Sequence, residues 1–207
     1  MNVAALTKPH AVEHLTADLS SYNVDITLIR ETHLKSRHSD SVFTIPGYMM
    51  LRRDRAGRRG GGVALYVRTT MPLQGVWTYS ADNPTYELLW ADVGDMFIGA
   101  LYHPPRPLYT PDSLFYYLQG CIDEITCNHP AASLVLAGDF NQLSHDALVD
   151  RTGLTQIVKQ PTRGANIFDR IYVSCPLHYD SASCEVGRPQ RSPGGRGVYC
   201  FSASQSQ

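Results

Sequence analysis

The apolar residues of this chain come in short, strand-length runs, with only two long stretches at helical spacing, and that restricts the fold to mixed α/β layers. Residues 24–29 alternate and are β-branched. A glycine run at 60–62 feeds an apolar run at 63–67. Residues 87–93 and 96–102 flank Gly94-Asp95, a hairpin signal. Runs at 133–138 and 167–173 complete the set. Val12, Leu15 and Leu19 predict an amphipathic helix over 8–21. Leu114, Leu118, Ile122 and Ile125 predict a second over 113–127, with Asp112 as its N-cap. Strands joined by hairpins and loops favour two inner sheets with helices outside, and there is no internal repeat.

The 207 residues suit one domain, and 43% hydrophobic content allows a core of real size. A net charge of −1 neither requires nor excludes a nucleic-acid partner. The five cysteines form no C-x-x-C pair, so zinc spacing is absent. Their odd number argues against a closed disulfide framework and for an intracellular, reduced chain. No apolar run reaches the roughly 18 residues a membrane span needs, and the N-terminus does not read as a signal peptide. Beyond residue 181, Gly, Pro, Arg, Ser and Gln dominate and no apolar period survives. The chain therefore divides into a domain at 1–180 and an irregular tail at 181–207.

Glu31, Tyr102, Asp139 with Asn141, and Asp169 lie at or near strand ends. Singly, each has an ordinary reading. A Glu after a strand is usually solvated, Asp-Phe-Asn is commonly a turn, and a strand-end Tyr is often half-buried. Asp169 is the least ordinary, because an inward-facing acid without a partner is costly. Together they offer hard oxygen ligands for Mg²⁺ or Mn²⁺ and groups that can attend a phosphodiester. They are expected to converge on one pocket at a shared edge of the two sheets. Clustered negative charge further implies that removing Asp139 leaves the melting temperature unchanged or raised.

The ordered set resembles the endonuclease/exonuclease/phosphatase superfamily, and within it the endonucleases of non-LTR retrotransposons. Gly138-Asp139-Phe140-Asn141 is similar to its GDFN signature, and Glu31-Thr32-His33-Leu34 to a metal-binding ETHL motif. Arg52-Arg53-Asp54-Arg55 with Gly60-Gly61-Gly62-Val63-Ala64 resembles an RxDR…GGGVA stretch. Tyr102-His103-Pro104-Pro105 resembles YRPP, with His103 where Arg is usual. Gln160-Pro161-Thr162-Arg163-Gly164 and Asp169-Arg170 resemble PTRG…LD.

The resemblance implies a deoxyribonuclease I-like four-layer α/β sandwich, incomplete at both ends. It implies that Glu31 binds the metal with Asn2 beside it, and that Tyr102 contacts the scissile phosphate. Asp139 would orient or deprotonate the attacking water, Asn141 would hold a phosphate oxygen, and Asp169 would orient a later histidine. Arg55, Arg58 and Arg59 are the candidate contacts to DNA phosphates. The implied partners are DNA and a reverse transcriptase domain in the parent element, and the implied location is nuclear.

The sequence departs from that pattern after Asp169, where no Ser-Asp-His follows and His178 is the only later histidine. Codons compatible with residues 187–196, read one base later, encode Val-Val-Arg-Ser-Asp-His-Arg-Ala-Val, so a frameshift accounts for the missing motif. The expected function is DNA-nicking phosphodiester hydrolysis, weak or inactive. The alternatives are a phosphatase of the same superfamily, acting on a small phosphate ester or inositol lipid, and a non-catalytic nucleic-acid-binding remnant.

Overall fold

The computed structural model describes residues 5–162, 165–176 and, as backbone, 199–201. Its chain order begins with helix α1 (Ala11–Ser21), then strands β1 (Ile26–Arg30), β2 (Tyr48–Arg53), β3 (Val63–Arg68), β4 (Gly75–Trp77), β5 (Glu87–Asp92) and β6 (Met96–Tyr102). Helix α2 (Pro111–Asn128), β7 (Ser133–Asp139), α3 (His145–Thr152), β8 (Thr155–Gln156), β9 (Asp169–Val173) and β10 (Tyr199–Phe201) follow. A four-stranded sheet runs β10-β1-β3-β2 and a six-stranded sheet runs β4-β5-β6-β7-β9-β8.

Three apolar clusters bind four layers together. Side chains alternate across a strand, so each sheet has an inner and an outer face. The inner faces meet through Ile26, Leu28 and Leu65 on one side and Leu89, Ala100, Val135 and Ile171 on the other. The outer face of the four-stranded sheet buries Ile29, Ala64 and Tyr66 against Leu15 and Leu19 of α1. The outer face of the six-stranded sheet packs Leu88, Trp90 and Leu136 against α2, through Leu114, Leu118 and Ile125, and against Leu148 of α3. This is the α/β/β/α sandwich expected from the sequence. The parallel β6–β7 pair needs a crossover, and α2 supplies it.

Both long helices differ at their starts from the sequence reading. Helix α1 begins at Ala11 because Pro9 disfavours helical backbone before it and His10 is left-handed, with φ 61°. Helix α2 is capped by Thr110, whose hydroxyl accepts from Ser113 N at 3.3 Å, not by Asp112. Pro111 takes the first helical position, where a missing N–H costs nothing. The tail is not irregular throughout: Tyr199–Phe201 pairs antiparallel with Ile26–Leu28 of β1. Aromatic residues at 199 and 201 suit a strand, and β1 had an open edge.

Among the described residues no helix is long and apolar enough to cross a membrane. Cys121, Cys127 and Cys175 are free thiols.

Candidate active site

Strand register builds the site. Glu87 of β5 pairs with Tyr102 of β6, Tyr102 with Asp139 of β7, and Asp139 with Asp169 of β9. Four adjacent strands thus carry four polar residues at one level. Their parity matches that of the inward apolar residues Leu89, Ala100, Ala137 and Ile171, so the row lies at one end of the space between the sheets. On the facing sheet, Arg30 has the parity of Ile26 and Leu28 and enters the same space.

Asp139 is held by its neighbours in the chain. The preceding Gly138 lies at φ 157°, and a β-carbon there would stand 1.8 Å from the Leu101 carbonyl oxygen, so only glycine lets β7 approach β6. After Asp139 the backbone turns, with Asn141 left-handed at φ 43°. The Asn141 N–H donates to Asp139 Oδ1 at 3.0 Å, a local turn that asparagine tolerates well. The Asn141 amide nitrogen donates to the His103 carbonyl at 2.7 Å, and His103 N–H donates to the Asp139 carbonyl at 2.8 Å. Phe140 sits wholly in the core between them.

His103 is buried, and burial pushes its imidazole pKa down from 6.5 to about 4. Its Nδ1 lies 3.1 Å from the Tyr109 hydroxyl. It is therefore a neutral structural group beneath Asp139 and not a surface cation.

Glu31 follows β1 in a left-handed conformation, φ 53°. Non-glycine residues reach that region at a cost, and such residues cluster at functional sites. The loop it begins is pinned to the glycine run: Thr32 N–H donates to Gly62 O at 3.2 Å and His33 N–H to Gly61 O at 2.9 Å. The Glu31 carboxylate accepts from the Tyr102 hydroxyl at 2.8 Å. Burial raises the Tyr102 pKa, and the Glu31 charge and hydrogen bond raise it further. Tyr102 is a phenol donor at any working pH.

Arg30 is the group that the sequence reading missed. Its Nη1 pairs with Asp139 Oδ2, and its Nη2 lies 3.2 Å from Asp169 Oδ1. Arg30, Asp139 and Asp169 are 3%, 2% and 3% exposed, so the ion cluster is fully inside the protein. A guanidinium faces Asp169 where the resemblance implied an imidazole. The signal in the sequence was a charged residue directly after a β-branched run and directly before an acid. Thr162 fixes the approach to β9, its hydroxyl accepting from Phe168 N–H at 3.0 Å and Asp169 N–H at 3.1 Å.

The other end of the row holds Glu87. Arg55 donates from Nε to Glu87 Oε1 at 2.6 Å, and Gly62 N–H donates to Glu87 Oε2 at 2.5 Å. A β-carbon at Gly61 would come within 2.5 Å of both side chains, so the glycine run makes room for this pair. The Arg55 guanidinium lies 5.6 Å from the centre of the Tyr102 ring. Arg58 and Arg59 are exposed, on the loop that Lys35 ties down through the carbonyls of Arg55 and Arg58. A cleft of about 170 Å³ opens here, with Arg55, Arg58, Arg106, Glu87 and Tyr109 on its walls. Glu31, Tyr102, Asp139, Asn141 and Asp169 are thus brought to one end of the sheets, with Arg55 beside them. Asn2 lies outside the described residues, as do Arg163, Gly164 and His178.

The donor types suit a hard divalent cation, but among the described residues the acids of the row are engaged by protein donors. Asp139 Oδ1 accepts from Asn141 and Oδ2 from Arg30, and Asp169 faces Arg30. Among the described residues no three acids, histidines or cysteines are grouped so as to hold a metal.

The profile of the Endonuclease/Exonuclease/phosphatase family matches residues 1–195. No curated protein sequence matches the chain. Solved structures share its fold at low identity. The 3′ phosphatase NExo from Neisseria, bound to product DNA hairpin, is 19% identical with a TM-score of 0.71, covering 99% of this chain and 97% of that one. An AP endonuclease from Archaeoglobus fulgidus is 15% identical with a TM-score of 0.58, covering 85% of each chain. A truncated Caenorhabditis elegans TDP2 is 17% identical with a TM-score of 0.53, covering 78% of this chain and 76% of that one.

Proposed function

This chain belongs to the endonuclease/exonuclease/phosphatase family, and from that premise we propose that it is the DNA-nicking endonuclease domain of a non-LTR retrotransposon, weakened or silenced at its active site. One observation carries the reading. Tyr102, Asp139 and Asp169 stand at one level on three adjacent strands, with Glu31 and Asn141 brought to the same end.

The chain's own groups can serve phosphodiester hydrolysis. Asp139, held by the Asn141 N–H and by Arg30, would orient or deprotonate an attacking water. The Tyr102 phenol, which donates its one hydrogen to Glu31 in the free chain, can turn it to a phosphate oxygen when substrate enters. One N–H of the Asn141 amide is engaged with His103, and its second N–H can donate to another phosphate oxygen. The water loses a proton and its oxygen bonds to phosphorus as the P–O bond to the leaving strand breaks, and the leaving oxygen takes up a proton from solvent. Mg²⁺ or Mn²⁺ is the cofactor the family resemblance implies, and its chemistry would be neutralisation of phosphate charge. A guanidinium rather than an imidazole facing Asp169 supports weak activity, since a positioned acid–base group contributes about 10²–10⁴-fold.

The retrotransposon context, a reverse transcriptase partner and action in the nucleus rest on the motif resemblance. The nucleotide sequence encoding residues 180–207 tests the frameshift directly. The arginine-lined cleft favours a second reading, a phosphatase acting on a phosphate monoester.

Incubation with supercoiled plasmid and with a 3′-phosphorylated oligonucleotide, in Mg²⁺ and in Mn²⁺, separates the readings. Slow nicking that Asp139→Asn and excess chelator both abolish is the expected result. Phosphate release without nicking transfers the assignment to the phosphatase. A chain that melts cooperatively yet does neither is a non-catalytic remnant.

A further inference from the structure

The row of inward acids contains a cation already, and it is a side chain. Asp139 and Asp169 sit on neighbouring strands of one sheet, and Arg30 reaches them from the other sheet with both terminal nitrogens. All three residues are nine-tenths or more buried. Two carboxylates side by side in that setting repel each other unless a positive charge lies between them.

We propose that Arg30 is a resident counter-ion that sets the divalent-cation affinity of this site. Its guanidinium offsets one of the two negative charges of Asp139 and Asp169 and engages oxygens that a hard cation entering the cluster would take. A divalent ion entering the cluster must displace Arg30 or share the acids with a like charge. The chain therefore keeps the family's acids but stabilises them without metal. This rests on the reading of Asp139 and Asp169 as the acid pair of the site, not on whether DNA is the substrate.

Arg30→Gln tests it, because glutamine keeps polar contact with the carboxylates and removes the charge. Two readouts besides activity apply to the full chain: Mn²⁺ affinity by calorimetry, and melting temperature in chelator and in Mn²⁺. The wild-type chain is expected to melt at nearly the same temperature with and without Mn²⁺. Without metal, Arg30→Gln leaves two buried acids without their counter-charge and should melt about 10 °C lower. Added Mn²⁺ should restore most of that loss, and the variant should bind Mn²⁺ at least about tenfold more tightly, since a like charge has left the site.

If Arg30→Gln does not fold, Asp169→Asn and the double variant Arg30→Gln/Asp169→Asn carry the same comparison with one acid fewer, and the double variant should bind Mn²⁺ more tightly. A folded Arg30 variant that binds Mn²⁺ no better than its Arg30 parent overturns the proposal. So does a wild-type chain already stabilised by Mn²⁺ as strongly as the variant. Tighter Mn²⁺ binding without DNA cleavage upholds the counter-ion and removes only the nuclease reading.

Discussion

The two ends of the polar row are neutralised by arginines in different ways. At the β5 end, Arg55 comes from a loop, its side chain keeps 18% exposure, and Glu87 also accepts from the Gly62 backbone. At the β7–β9 end, Arg30 comes from a strand, is 2% exposed at its side chain, and serves two acids. A pair at the rim can be rehydrated when one partner is lost, whereas a pair inside cannot. The β7–β9 end is therefore the more consequential for stability, and the β5 end is the more approachable for a ligand.

The largest effect expected from this contrast is at Asp139. Asp139→Ala takes the acceptor from two buried donors, Arg30 Nη1 and the Asn141 N–H, and should lower stability by about 3–5 kcal/mol. That reverses the expectation, drawn from clustered acids alone, of an unchanged or raised melting temperature. Denaturant melts of the purified chain decide it, and a variant as stable as wild type removes the structural role of the ion cluster.

Glu87→Gln should cost less, about 1.5–3 kcal/mol, because Gln keeps an acceptor for Gly62 N–H and Arg55 can turn to water. If it destabilises as much as Asp139→Ala, the two ends are equivalent and the contrast fails.

His103 sharpens the comparison from beneath Asp139. Burial holds its folded pKa near 4, below the ordinary 6.5, so between those values the unfolded chain binds a proton that the folded chain does not. Its contribution is fully present above pH 6.5 and is lost as pH falls through 4. Urea midpoints measured across that window should fall more steeply in wild type than in His103→Gln. Parallel pH profiles would show that His103 is not held neutral by the fold.

The smallest effect on stability belongs to the exposed loop. Arg58→Ala and Arg59→Ala should each change stability by less than about 0.5 kcal/mol. If these side chains meet DNA phosphates, each substitution should lower the magnitude of the salt slope of DNA binding by about 1. An unchanged slope makes them ordinary solvated residues.

Several features were legible in the residues themselves. Period-two runs, two amphipathic stretches and the Gly94-Asp95 turn are local signals, because backbone geometry fixes which residues share a face. They revealed the layers and placed Tyr102, Asp139 and Asp169 at strand ends. Gly138 was readable too, since a glycine between an apolar strand and an acid marks a close backbone approach. Short edge strands such as β4 and β8 were not, having too few residues to show a period.

Which charge meets which was decided only by tertiary structure. Arg30 and Asp139 stand 109 residues apart, on different sheets, and nothing local ties one to the other. Their meeting depends on strand order, on the register that lines up Tyr102, Asp139 and Asp169, and on two inner faces packing with Arg30 opposite that row. The sequence by itself determined that acids would crowd one end of the sandwich. Only the packing of sheet on sheet decided that an arginine would neutralise them, because buried charges take whatever partner the facing layer brings within reach.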